Sequence, residues 1–396
     1  MQTEFTKRTD LIADCRYCAE VSKASGEDPA GSAPQVDYWL LVEIPQPWPT
    51  SMFTDNEIIA QIIPRLKRLF FRRGLMIRPV AIAPDKDYST PGFTRILYYY
   101  RPAKQFAHYQ KEEYLVPEKE AADVAIALLD RLSGNAKALA PFTAYKQSHA
   151  PHREMLVCTH TQVDLACGRF GTPLYRQLRK QYGQPDQASE EQPYQQLNQP
   201  LRVWQTTHFG GHQFAPTLID LPTGQFWGHL TPEVMSQLVE RTGDPEKMKP
   251  FYRGWAGVNR FEQIAEREAW MNVGWDWLTY PRTAQITRKE LTGLQQLLYP
   301  LLRWVPIKLL QIWLERWTGS ARWIEVDVAY SHGDRASTSQ GHHHSRNHHN
   351  RHNRHYRIRI EETGEVTSAA ASVAKDDGPI ALKSVKQYQC SLLKGS

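Results

Sequence analysis

The stretch EMLVCTHTQVDLACGRFGTPLYRQLRKQYG, residues 154–183, reads as a strand, a loop and a helix in succession. An apolar run through Leu156 and Val157 predicts a strand that ends at Cys158, and the segment from Pro173 to Tyr182, closed by Gly183, predicts a helix. Cys158 then lies at the C-terminal end of a strand and Cys167 shortly before a helix, and the loop between them is free to wrap around a bound group. Loops anchored on a rigid sheet hold ligands in fixed geometry.

Outward from this unit the pattern nearly repeats. Downstream come a strand at Leu201 to Gln205, two short strands around Pro222-Thr223-Gly224, and a helix from Pro232 to Arg241. Upstream, Tyr38 to Ile44 reads as a strand and Asp55 to Arg73 as a helix with candidate N-cap Thr54. Strands at Leu75 to Ile82 and Thr94 to Tyr100 and a helix at Lys119 to Leu132 follow. Both halves fit thioredoxin-like units, so the expected fold class is α/β, two such units in tandem with a helical and β-hairpin C-terminal extension. The expected division is 1–150, 151–245 and 246–396. No sequence identity between the halves is visible; the repeat is one of topology.

The loop holds the chemistry. Cys158 and Cys167 have eight residues between them, and His208 and His212, with three between, follow about forty residues later. Two thiolates and two imidazoles suit one zinc ion or one [2Fe-2S] cluster. Structural zinc usually takes its cysteines from a knuckle of two to four intervening residues, so the long loop fits zinc poorly. A cluster with both thiolates on one iron and both imidazoles on the other has Rieske-type chemistry. Gly210 and Gly211 argue against a helix carrying His208 and His212, and predict a tight loop whose N–H groups approach bridging sulfides. His160 and Asp164, inside the cysteine loop, are the candidates for contacts behind the ligands.

At these residues the chain resembles the sucrase/ferredoxin-like family, whose C-terminal part is a thioredoxin-like ferredoxin. The resemblance rests on CTHTQVDLACGRFGTPLYRQL (158–178) and VWQTTHFGGHQFAPTLIDLPTGQFWGHL (203–230), with SKASGEDPAGSAPQVDYWLLVEIPQPW (22–48) upstream and YRGW (252–255) downstream. It implies that Cys158, Cys167, His208 and His212 ligate a [2Fe-2S] cluster. Thr161, Val163 and Ala166 depart from residues common in the family, and none of the three is a ligand in this reading. The sucrase half of the name finds no support, because a single sequence does not pair carboxylates across a fold. The function implied is one-electron, proton-coupled transfer or redox homeostasis with a redox protein partner. A zinc-stabilised binding module and a metal-free thioredoxin-like thiol protein are the alternatives.

Composition bounds the rest. A chain of 396 residues with a formal net charge of +6 is large enough for two or three domains and carries no general nucleic-acid signature. Five cysteines make no disulfide framework, and Glu4, Lys7, Arg8, Asp10 and Asp14 interrupt any leader-like apolar run, so a cytoplasmic location is expected. Cys15 and Cys18 have knuckle spacing but precede the first credible strand, and are expected to be plain thiols; Cys390 is isolated. Within Arg288 to Trp317, Pro300, Arg303, Pro306 and Lys308 interrupt LLYPLLRWVPIKLLQIWLERW, which predicts a kinked helix pair with no transmembrane span, or a peripheral membrane or partner-docking surface. The histidine-rich tract within 333–355 lies between strand-like Trp323 to Tyr330 and Tyr356 to Glu361 and reads as a long hairpin loop with modest metal affinity at most.

Overall fold

A computed structural model describes residues 15–148, 152–184, 200–290, 294–302, 305, 310, 314, 317–319, 321–332, 352–374 and 377–393. The N-terminal half supplies β1 (Tyr38–Glu43), β2 (Ile77–Ile82), β3 (Phe93–Tyr100) and β4 (Gln110–Pro117). The following part supplies β5 (Arg153–Cys158), β6 (Leu201–Thr206), β7 (Leu218–Leu221), β8 (Gln225–Trp227) and β9 (Tyr252–Trp255). All nine form one mixed sheet in the order β4-β3-β1-β2-β6-β5-β7-β8-β9.

The order is the same on both sides of the middle. In each half the first two strands are parallel, the third lies antiparallel beside the first, and the fourth lies antiparallel beside the third. The halves meet where β2 and β6 pair antiparallel at Ile82 and Thr206. The molecule is therefore an α/β fold on a large mixed sheet. β4 and β9 are strands that the hydrophobic pattern did not predict.

Helices pack on the strands because alternate residues face opposite ways. Leu40 and Val42 of β1 share a core with Ile62 and Leu69 of α2 (Glu57–Arg73) and with Val124 and Leu128 of α3 (Ala121–Leu132), which follow the short N-terminal helix α1 (Cys18–Ser25). Met155 and Val157 of β5 pack with Leu174 and Leu178 of α4 (Leu165–Tyr182). The residues between them, Trp39, Leu41, Leu156 and Trp204, belong to one core shared by both halves. α2 starts after Asn56, whose side chain accepts from the Ile59 N–H, and Thr54 is not its cap.

α4 begins at Leu165, well before the predicted start at Pro173. Asp164 provides the start: its carboxylate accepts the Ala166 N–H, the bond an N-cap supplies. Pro173 lies inside the helix and deprives it of one backbone bond, to Arg169, yet packing holds the helix together. Gly171 lets α4 approach β5 closely, since a Cβ there would stand 2.0 Å from the Cys158 carbonyl oxygen.

After the short helix α5 (Met235–Glu240), α6 (Arg260–Val273) joins the main fold to a second sheet. That sheet holds β10 (Arg282–Lys289), β11 (Trp323–His332), β12 (His352–Ala369) and β13 (Leu382–Leu393), antiparallel throughout and in that order. Ile264, Ala265 and Ala269 of α6 pack on Val326, Val328, Ile358 and Ile360. The expected hairpin is β11 and β12, paired out to His332 and His352, and it forms part of a four-stranded sheet rather than a lone ribbon. Residues 333–351 of the histidine-rich tract lie outside the described residues. So does most of the expected kinked helix pair, of which a helix at Leu294–Leu302 is described. No helix among the described residues is long and apolar enough to cross a membrane.

Candidate metal centre

Parallel pairing of β5 with β6 sets Cys158 opposite Thr206, so His208, two residues further on, emerges beside the end of β5. α4 returns Cys167 to the same point in its first turn. His208 Nδ1 lies 3.8 Å from Cys158 Sγ and 3.6 Å from Cys167 Sγ. Both cysteines are 1% exposed, and no disulfide joins them. Together the three form a group whose donor atoms all lie within 4.8 Å of one another, close enough to hold a metal ion.

His212 stands next to this group. Its ring is centred 5.5 Å from that of His208, and its Nδ1 lies 3.1 Å from Asp164 Oδ2 and 3.2 Å from Cys18 Sγ. Cys18, Asp164 and His212 make a second cluster of donors within the same 4.8 Å limit. With Nδ1 turned to the carboxylate, Nε2 is the nitrogen left to face a ligand. A carboxylate behind a histidine fixes tautomer and ring orientation in metal sites.

Between the histidines the chain turns through two left-handed residues, Gly210 at φ 96° and Gly211 at φ 79°, and a 3-10 turn begins at His212. That is the tight loop the glycines predicted. The buried Arg253 fills the space: Nη1 donates to the Gly210 carbonyl, and a Cβ on Gly211 would lie 2.2 Å from Nη2. Arg78 reaches the same loop, 3.6 Å from where a Gly210 Cβ would stand.

His160 and Asp164 both touch the ligand candidates. His160 Nδ1 accepts the His208 N–H while Nε2 donates to the Pro49 carbonyl, which pins the backbone before the glycine turn. Asp164 caps α4 and also accepts from Ser372, through its N–H at 2.9 Å and its hydroxyl at 2.7 Å. Burial opposes the charge on Asp164, yet hydrogen bonds from His212, Ser372 and Ala166 hold its carboxyl well below the usual range.

The thiols are electrostatically unequal. Burial opposes ionisation of Cys158, but hydrogen bonds from Cys167 and His208 outweigh it and pull that thiol well below its ordinary value. The hydrogen bond to Cys158 and then burial push Cys167 upward. Arg253 lies close enough to feel both cysteines; burial and then Arg78 bring it down to about 9, still a cation at neutral pH. Burial likewise pushes the Cys18 thiol up to about 12.

Cys18, Ser372, Arg253 and Arg78 were not among the predicted site residues. YRGW carried a signal for Arg253, because it is one of the stretches that mark the family resemblance. Cys18 had its knuckle spacing, set aside because no strand precedes it, and Cys15 goes elsewhere, to the Tyr17 carbonyl and Glu20. Ser372 sits 208 residues from Asp164 and has no local signal.

A sequence model described as sucrase/ferredoxin-like matches residues 29–254, more than half of the chain. No curated protein and no solved structure matches it.

Proposed function

The chain belongs to the sucrase/ferredoxin-like family, and from that premise we propose that it is a one-electron carrier whose [2Fe-2S] cluster is held by Cys158, Cys167, His208 and His212. The supporting observation is the gathering of both thiols and His208 within 4.8 Å at the ends of β5 and β6, with the His212 ring alongside. The donor set fits: two soft sulfurs and two imidazoles are the ligands of a Rieske-type centre. When bound, such a cluster supplies reversible one-electron chemistry, at about −150 to +300 mV in Rieske centres.

The chain's own residues then have definite tasks. Cys158 at the end of β5 and Cys167 in the first turn of α4 are both buried, which keeps water from the sulfur side. Asp164 holds the proton on His212 Nδ1, and His160 holds the His208 backbone. Arg78 and Arg253 place positive charge beside the glycine turn, which favours electron uptake. The His212 side chain is 21% exposed, so this edge of the site faces an incoming redox partner. We further propose that the two like-ordered halves are thioredoxin-like units, divided as 1–150 and 151–245 with the extension at 246–396, and that the protein works in the cytoplasm.

A second reading has one observation in its favour. Zinc bond lengths of about 2.3 Å to sulfur and 2.0 Å to nitrogen put tetrahedral ligand atoms about 3.6 Å apart, and the His208 to cysteine separations are 3.6 and 3.8 Å. Replacing His208 with cysteine separates the readings. An iron-sulfur protein keeps its cluster in His208→Cys and lowers its midpoint by on the order of 100 mV, in the direction of all-cysteine ferredoxins; a zinc protein stays colourless and without redox response.

A further inference from the structure

A cavity of about 580 Å³ opens at the other end of β5, about 17 Å along the strand from Cys158. Lys111 at the start of β4, Arg153 at the start of β5, Arg241 after α5, Thr223 in the β7–β8 turn, His108 and Tyr99 line it. Among the described residues no carboxylate does.

Around Asp220, behind its wall, the cations outnumber the carboxylate. Asp220 receives Arg153 through Nε at 2.8 Å and Nη2 at 2.6 Å, and it also receives Arg241 Nη2 at 3.2 Å, so two guanidiniums share one carboxylate. The Arg241 side chain is 7% exposed, and its Nε is buried with no partner among the described residues. Its backbone, at φ 53°, is the left-handed cap that ends α5, with its N–H on the Gln237 carbonyl. Burial, and then Arg153, lowers its pKa to about 10. A desolvated cation with an unmet donor is costly unless an anion meets it.

We propose that this cavity binds a small oxyanion-bearing molecule, a phosphate ester or a carboxylate, through Arg241, with Lys111, which already pairs with Glu113 at 2.7 Å and Glu154 at 2.8 Å, as a second cation on its wall. Its volume is that of a metabolite-sized site, and the half-buried Tyr100 lines it beside these cations. Arg153, already bidentate on Asp220, orients the carboxylate that positions Arg241. The site requires no metal and stands apart from the electron-carrier reading.

Calorimetric titration of the full chain tests it, with inorganic phosphate and citrate as separate probes and sodium chloride holding ionic strength constant. Saturable binding of phosphate identifies a phosphate site, and saturable binding of citrate a carboxylate site. Arg241→Gln is expected to weaken that binding about tenfold or more, the worth of a charge-assisted hydrogen bond. Lys111→Gln is expected to weaken it by a smaller factor, since that lysine already pairs with Glu113 and Glu154, and it decides the matter if Arg241→Gln does not fold, because both carboxylates keep their ion pairs with the buried Arg202 in the variant. No saturable heat with either probe, or unchanged affinity in the folded variants, overturns the proposal.

Discussion

At the scale of single residues, Gly211 shows how tightly the candidate centre is built. Gly92 and Gly211 share φ 79°, but a Cβ on Gly92 meets nothing within 4 Å whereas one on Gly211 would lie 2.2 Å from Arg253 Nη2. Gly92→Ala should therefore cost about 1 kcal/mol, the strain of a left-handed alanine. Gly211→Ala adds the displacement of a buried guanidinium and should cost at least about 2 kcal/mol more. Urea unfolding of both variants checks this, and equal losses would show that Arg253 does not confine the turn. Asp164 is a second such residue, serving α4, His212 and Ser372 together. Asp164→Ala should lose about 1–2 kcal/mol of stability and a larger share of bound metal than Asp164→Asn, which keeps a capping oxygen. Unfolding curves and metal analysis of the two proteins measure the difference.

At the scale of elements, what the sequence disclosed and what it hid have separate causes. Strand β5 and the placement of Cys158 at its end were legible, because the apolar run stops at the cysteine. The start of α4 was not: Pro173 reads as a first-turn residue, and the true start depends on Asp164, whose partners include Ser372 from the far end of the chain. β9 escaped notice because its four residues, YRGW, contain a glycine and too few positions for alternation to register. Of the residues the sequence nominated, Cys158, Cys167 and His208 come together; His212 lies beside them, and its Nδ1 contacts, Asp164 and Cys18, depend on long-range folding. The hairpin flanking the histidine-rich tract extends to His332 and His352, so a deletion is best confined to residues 333–351. Replacing those residues with an Asn-Gly turn should leave metal content and visible spectrum unchanged, since β11 and β12 keep their register. Loss of colour in that variant would tie the tract to the centre.

At the scale of the whole molecule, stability should depend on buried neutral histidines. Burial, with Lys23 and Arg253 adding to it, lowers His229 to about 4, and burial with Arg241 and Arg282 lowers His108 equally. Each has a folded value below the unfolded one of about 6.5, so the unfolded chain binds the proton more readily. Their stabilising effect is complete above that unfolded value and is lost as pH falls through the folded value, by on the order of 3 kcal/mol for the buried His229 and by less for the half-buried His108. Glu43, whose carboxyl burial pushes up, acts in the opposite direction over part of the range. The urea midpoint should fall between neutral pH and about pH 5, and His229→Gln, which cannot take the proton, should flatten the decline. An unchanged slope would mean that His229 is not buried as described. The thiols and imidazoles that bear on function lie where β5, β6 and α4 converge. The most direct measurement is iron, acid-labile sulfide and zinc analysis of the full chain purified without air. An electron carrier of the proposed kind contains two irons and two sulfides per chain, and little zinc; a chain with stoichiometric zinc and no labile sulfide contradicts it.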